Sequence, residues 1–279
     1  METLNRILWA LRKVRLPVSA DGLVLDVGSG NCPYPRSDVL LERYTRGNHR
    51  CGASAMADRP LVLGDALCMP FRDKAFDFVV ASHVLEHIKT PEVMLKELMR
   101  VARAGYIETP NLLLERFCPY PVHVLELIQR DGTLIIHKKS ASGSDDFLAR
   151  QRLTDRHVNW KRIFQGTPQN FHVRYFWQDE IHYEIDNPEQ SSDWVEDAAD
   201  NNDCDVLQTY QGSGWRTWGL KLLRSYYAHR RRMPLDWLSI LACPTCRNRL
   251  ERTGPELRCT GCAARYLAEP HPDFLHPLV

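Results

Sequence analysis

The sequence predicts an α/β protein, a mostly parallel, doubly wound sheet followed by a small cysteine-based C-terminal domain. Three observations lead there. Short apolar runs recur and stop at glycine or an acid, as in Leu23-Val24-Leu25-Asp26-Val27-Gly28-Ser29-Gly30 and Leu61-Val62-Leu63-Gly64-Asp65. Runs of that kind are buried parallel strands that bring their carboxyl ends to a ligand. Helical periodicity follows one of them, from Glu92 to Val101. Four of the nine cysteines are gathered into two Cys-x-x-Cys pairs near the C-terminus.

Composition narrows the reading. A chain of 279 residues accommodates one large domain and a small one. A net charge of +1 leaves no global field that would mark a nucleic-acid binder. No apolar run approaches the ~20 residues of a membrane span. Cys32, Cys51, Cys68, Cys118 and Cys204 are scattered, so the cysteine pattern favours metal binding in a reducing, cytoplasmic compartment over a disulfide framework.

The elements follow in order. Leu4, Ile7, Leu8, Leu11 and Val14 stand at helical spacing among basic residues, which predicts a helix over residues 3–15 packed on the domain that begins at Leu23. A targeting or membrane-surface segment is the other reading. Strand one ends at Gly30. Pro33 and Pro35 exclude a regular helix before Val39-Leu40-Leu41-Glu42, so a loop or short helix is expected there. Strands follow at Leu61–Ala66 and Phe76–Ser82, a helix starts at Thr90-Pro91, and Tyr106–Pro110 is a fifth strand. Beyond 112, His123–Ile128 and Thr133–Lys138 flank Arg-Asp-Gly as a hairpin, and residues 147–166 have irregular helical character. Phe171–Phe176 and Ile181–Ile185 suit a final antiparallel pair of the same sheet. Residues 186–205 carry eight acids and neither Lys nor Arg, the composition of a loop. Residues 215–233 read as an aromatic, basic connecting helix whose Arg230–Arg232 run is a solvated helix end rather than an RNA-phosphate contact.

Two constellations carry chemistry. The first joins Asp26, Gly28, Ser29 and Gly30 with Glu42, Asp65-Ala66 and the stretch Ser82 to His87. The four blocks LDVGSG, an acid after strand two, GDALCMPF, and FDFVVASHVLEHI followed by TPEVMLKELMRV resemble, in that order, the Rossmann-like S-adenosylmethionine-dependent methyltransferases of the type-11 group. The resemblance covers roughly residues 20–110. It implies that Gly28, Ser29 and Gly30 approach the methionine portion of S-adenosylmethionine, with Asp26 near its ammonium group. Glu42 would bind the ribose hydroxyls, Asp65 with Ala66 would address the adenine, and Ser82 with His83 would line the sulfonium side. The chemistry agrees, since a carboxylate matches a diol and acids suit a cationic ligand. A nicotinamide cofactor is the rival, but Pro33 replaces the third glycine of its fingerprint. Methyl transfer is an in-line displacement to which proximity contributes most. If a base is needed it is His83, ahead of Glu86, Tyr106, Glu108 and His123. His83 and His87 flank Glu86 in a pattern that recurs in this group without metal.

The second constellation is Cys243-Pro-Thr-Cys246, then twelve residues, then Cys259-Thr-Gly-Cys262. Four thiolates so spaced predict a closed, structural zinc ribbon whose ion supplies folding energy. Leu235 to Pro244, the second knuckle and Tyr266 resemble the small zinc-ribbon activator subunit of several tRNA, rRNA and release-factor methyltransferases, and the sequence departs from it at Ala268–His271. The expected organisation is a methyltransferase domain at 1–232 and a zinc ribbon at 235–279 that docks on it within the chain. The methyltransferase domain divides into a cofactor half at 20–110, an acceptor-side region at 111–210 and a linker helix at 215–233. A small-molecule acceptor is expected, with tRNA or a translation factor as the alternative and a non-catalytic scaffold as a third reading.

Overall fold

The computed structural model describes residues 15–45, 54–120, 122–140, 166–193 and 235–278, with single positions elsewhere, among them Leu4, Ile7, Trp9 and Lys13. Most of the expected 147–166 helix, the acidic stretch beyond 193 and most of the 215–233 helix lie outside these residues.

One sheet of ten strands organises the chain, in the order β10-β11-β12-β13-β3-β2-β1-β4-β5-β8. Its centre is parallel: β1 (Val24–Val27) lies between β2 (Val39–Glu42) and β4 (Phe76–Ser82), with β3 (Leu61–Leu63) beyond β2 and β5 (Ala102–Pro110) beyond β4. The chain lays down β1, β2 and β3 in one direction and β4 and β5 in the other. The reversal between β1 and β4 opens a crevice at their carboxyl ends, the usual ligand position in such sheets. No helix crosses from β1 to β2. Residues 31–38 turn instead through hydrogen bonds from Cys32 N to Ser29 O and from Ser37 N to Tyr34 O, as Pro33 and Pro35 require.

Burial explains the strands. Val24, Leu25, Val39, Leu40 and Val80 are fully buried, as expected of a parallel sheet covered on both faces. Helix α1 (Pro91–Val101) covers one face through Met94, Leu95, Leu98 and Val101. Val93 is 38% exposed, and Met94, one step along the turn, is the residue that points inside. Helix α2 (Leu112–Phe117) begins at Asn111, whose side chain accepts from Leu114 N.

Strands β6 (Leu125–Arg130) and β7 (Thr133–Lys138) form the expected hairpin, closed by Asp131 and Gly132 with φ of 49° and 78°. Strand β8 (His172–Gln178) pairs antiparallel with β5, as expected. Strand β9 (Tyr183–Ile185) does not follow it into the large sheet. It runs parallel to β7 in a second sheet, β6-β7-β9. The cause is local: Asp179, at φ 63°, turns the chain, and Tyr175 Oη then holds His182 N at 3.0 Å.

The cysteine-bearing segment comprises α3 (Trp237–Ile240), β10 (Leu250–Thr253), β11 (Glu256–Cys259), β12 (Arg265–Leu267) and β13 (Asp273–Leu278). It continues the large sheet. Strand β13 pairs parallel with β3, Asp273 opposite Leu63, and Leu63 N donates to Pro272 O at 2.8 Å. Beside that ladder, Ala242 N donates to Pro70 O, and Arg72 donates to the carbonyls of Leu238, Ile240 and Leu241. Met69, Phe71 and Phe76 share one apolar cluster with Leu241, Leu257, Tyr266 and Phe274. Among the described residues no helix is long and apolar enough to cross a membrane.

Candidate active site

The glycine turn is built for close approach. Gly28 sits at φ +63°, and a Cβ there would lie 2.5 Å from Val84 Cγ2, so only glycine fits. Gly28 N donates to Leu41 O, which ties the turn to β2. The β1–β2 register then brings Glu42 beside the turn, where its Oε1 accepts from Gly30 N and from Ser29 Oγ at 2.9 Å. Glu42 is 2% exposed. The acid expected after strand two therefore stands at the glycine turn although no helix precedes it.

Asp26 is buried one turn below. Its Oδ2 accepts from Tyr34 N at 2.7 Å and Ser37 Oγ at 3.3 Å, so it anchors the loop that follows the glycines. Burial raises its pKa to about 7, against the Tyr34 hydrogen bond and the charges of Lys13 and Arg59, with Glu42 adding to the rise. Asp65 follows β3, caps Leu67 N through Oδ1 and pairs with Arg43 at 3.2 Å. Gly64 N donates to Glu42 O, which sets Asp65 and Ala66 next to the end of β2. Ser82 ends β4 and donates to Glu108 Oε1 at 3.3 Å.

Residues 25–107 match the family model described as a methyltransferase domain. Sequence relatives carry the same designation. The chain is 29% identical over 142 residues to the demethylmenaquinone methyltransferase of Renibacterium salmoninarum, covering 47% of this chain and 60% of that protein. It is 30% identical over 106 residues to the ubiquinone/menaquinone biosynthesis C-methyltransferase UbiE of Roseobacter denitrificans, covering 35% and 42%. The chain thus spans between two fifths and three fifths of the length of these relatives. Among solved structures, the complex between the Haloferax volcanii Trm112 methyltransferase activator and a methyltransferase matches at TM-score 0.40 and 14% identity, over 63% of this chain and 89% of that one.

Past the carboxyl end of β4, His83 lies in the left-handed region at φ 59°. Its Nδ1 lies 3.4 Å from Glu86 and its Nε2 3.5 Å from Glu108, while 44% of the side chain remains open. Loss of hydration opposes its charge, but hydrogen bonding to Glu108 and Glu86 and their negative charges outweigh that and raise the pKa to about 9. In the free protein His83 is therefore a proton donor at neutral pH, and a base role for it requires that this proton first be lost. Glu108 is fully buried and also accepts from Tyr106 Oη at 2.6 Å. Glu86 is held ionised at about 2: burial works against its charge, and His83, His87 and His123 overcome that.

Several contributors escaped the sequence reading. Trp9 is buried against His172 at 4.7 Å, and His172 packs edge-on to His83 at 5.4 Å. Arg174 stands over Trp9 and donates to Tyr106 Oη at 3.2 Å. Lys13 reaches the loop after Gly30, donating to Cys32 O. Trp9 and Lys13 thus lie against the site, whereas Leu4 and Ile7, expected on the packed face, are 60% and 41% exposed. Glu115 and Lys139 form a buried pair at 2.8 Å beside His123. Asn111 as a helix cap was a legible signal for α2; the ring contacts were not, because they join residues far apart in sequence.

The four predicted metal-ligand cysteines converge. The sulfurs of Cys243, Cys246, Cys259 and Cys262 all lie within 4.8 Å of one another. Cys243 and Cys262 are 3.7 Å apart, and Cys246 and Cys259 3.3 Å. A tetrahedral ion with bonds near 2.3 Å separates its sulfurs by about 3.8 Å.

Proposed function

We propose that the chain is an S-adenosylmethionine-dependent methyltransferase that acts on a small-molecule acceptor, with a structural zinc ribbon docked in cis. The observation that carries this reading is the gathering of Glu42, Asp65 and the Gly28–Gly30 turn at the carboxyl ends of three adjacent parallel strands. The donor set fits the cofactor. A glycine that tolerates no Cβ leaves backbone room, Glu42 offers a carboxylate to a diol, and Asp65 stands one strand further along for the base. Asp26 fixes the loop that frames the methionine end, and its own ionisation is set to respond to a nearby ammonium group. S-adenosylmethionine held there would supply an electrophilic methyl group on its sulfonium, with the thioether as the leaving group when that carbon–sulfur bond breaks.

The residues of this chain contribute position and charge. Ser82 and His83 form the wall at the end of β4, and Glu108 holds both together with Tyr106. The protonated His83 donates to an acceptor oxygen or anion, while Glu86 and Glu108 balance its charge. Trp9, His172 and Arg174 close the outer side with apolar and cationic surface, which suits a compact, polar acceptor. The names of the curated relatives, which specify quinones, support a small molecule over RNA. The cysteine cluster would hold zinc with all four positions filled, so its contribution is to folding and not to chemistry.

Calorimetric titration of the zinc-replete chain with S-adenosylmethionine tests the first half. One binding event per chain, weakened by Glu42→Gln, is expected; no binding by folded protein would return the chain to the scaffold reading. Transfer of labelled methyl groups to a small-molecule extract against total RNA tests the second half. Label found only in RNA overturns the small-molecule acceptor.

A further inference from the structure

We propose that Glu86, His87 and His123 form a second metal site, separate from the cysteine cluster, that takes a divalent first-row transition-metal ion. One ligand atom from each of the three residues lies within 4.8 Å of the others. An ion bound at about 2.1 Å needs its ligand atoms about 3.4 Å apart, so small side-chain rotations close the site.

The hydrogen bonds around the cluster set its ligand atoms. His87 Nδ1 lies 3.2 Å from Val122 O, and His123 Nδ1 lies 2.7 Å from Glu115 Oε2. A carbonyl oxygen and a carboxylate oxygen are acceptors, so each Nδ1 carries the hydrogen and each Nε2 presents a lone pair. That is the arrangement in which metal-bound histidines are held, one nitrogen oriented by an outer acceptor and the other left for the ion. The outer layer is itself fixed: Glu115 accepts from Lys139 Nζ at 2.8 Å and from Tyr120 N at 3.0 Å.

Glu86 supplies the independent observation. It is 1% exposed, and Oε2 accepts from Thr109 Oγ1 at 3.0 Å. Its Oε1 is buried with no hydrogen-bond partner. His83 Nδ1 faces that oxygen at 3.4 Å, an ion pair rather than a well-formed hydrogen bond. A buried carboxylate oxygen without a hydrogen bond is costly, and a cation shared by Glu86, His87 and His123 would relieve that cost. Two imidazoles and a carboxylate suit zinc, iron, cobalt or nickel rather than magnesium or calcium, which favour oxygen alone. The backbone holds the ligands in place, since Val124 N donates to Glu86 O at 2.8 Å and joins the two ligand-bearing segments. His87 is exposed and gives the ion its way in.

The test uses the full chain with zinc already on its cysteines, titrated with cobalt(II) by calorimetry while the visible spectrum is recorded. One further ion per chain is expected, with ligand-field bands and no sulfur-to-cobalt charge transfer. His87→Gln, on the exposed side, is expected to weaken that binding by about tenfold or more while zinc content and melting temperature stay unchanged. His123→Asn serves as the second variant. Failure of the parent chain to bind a further ion overturns the proposal. So does cobalt bound only to sulfur, or binding that survives His87→Gln undiminished.

Discussion

Glu97 on α1 accepts a hydrogen bond from Arg247 of the cysteine-bearing segment, Nη2 to Oε1 at 3.0 Å. The same carboxylate accepts from Met69 N at 2.7 Å and is gripped by Arg100 at 2.7 and 2.8 Å. Arg247 completes the set by donating through Nη1 to Met69 O. The joint between the two parts of the chain therefore converges on one shielded carboxylate. Arg247→Ala is expected to cost about 1–3 kcal/mol, because Arg100 still neutralises Glu97. Glu97→Ala is expected to cost more, about 2–4 kcal/mol, since it leaves the Met69 amide unpaired and removes the carboxylate that Arg100 and Arg247 share, although Arg100 keeps Asp73 and two carbonyls. Denaturant unfolding curves of the two variants check the order, and equal costs would contradict it.

Gly28→Ala tests the glycine turn. The new methyl group meets Val84 Cγ2 at 2.5 Å in a backbone conformation that side chains disfavour. Left-handed backbone costs an alanine about 1–2 kcal/mol before any clash is counted. Adding Val84→Ala removes the clash and not the dihedral strain. The double variant is thus expected to recover part of the lost melting temperature. Cofactor binding, followed by calorimetry, is expected to stay weak in both.

Asp26 makes stability depend on pH in an unusual sense for an acid. Its folded pKa, about 7, lies above the ordinary 3.8, so the folded chain holds a proton that the unfolded chain releases. The contribution is fully present below about pH 4, declines as pH rises, and is lost once pH passes about 7. The whole effect is of the order of 4 kcal/mol, at 1.36 kcal/mol per pKa unit. Asp26→Asn keeps an oxygen for Tyr34 N and carries no titrating group. It is expected to flatten the stability profile between about pH 4 and 7 and to exceed the parent at the alkaline end. A steeper profile in the variant would assign the slope to another group. Binding of a cation near Asp26 releases the proton, so S-adenosylmethionine affinity is expected to rise with pH up to about 7.

Cys243→Ser is expected to abolish the ribbon's zinc and unfold residues 235–278, since so small a segment has little core of its own. Phe71 forms a bridge with Leu241, and Arg72 donates to three carbonyls of the segment. The rest of the large sheet should therefore melt at a lower temperature as well. Metal analysis together with scanning calorimetry reads both effects, and an unchanged domain transition would show that docking contributes nothing to stability.

The central strands and their carboxyl-end acids were legible because each is a local pattern, an apolar run that stops at glycine or an acid. Gly28, Glu42 and Asp65 fell where the blocks put them. The Arg-Asp-Gly turn was legible for the same reason, since left-handed backbone at Asp131 and Gly132 is a property of the dipeptide. Strand β9 was not. Its alternation fits either sheet, and the choice was made by the turn at Asp179 and the Tyr175 hydroxyl. Nor did composition reveal that Trp9, His172 and His83 stack in sequence, or that Glu115 orients His123. Those contacts are decided by the tertiary fold, and no spacing along the chain encodes them.

Pairing β13 with β3 also moves the outer boundary of the sheet. Left open, β3 would present Leu61, Val62 and Leu63 as a bare apolar edge with unpaired amides and carbonyls, a template for strands of other molecules. With the cysteine-bearing segment in place, that margin becomes β10, whose Glu251, Arg252 and Thr253 are exposed and mostly charged. A brief charged margin resists strand addition. The residues that complete the fold thus also shield this edge from strand addition, and unfolding of the cysteine-bearing segment would turn a stability defect into an aggregation defect.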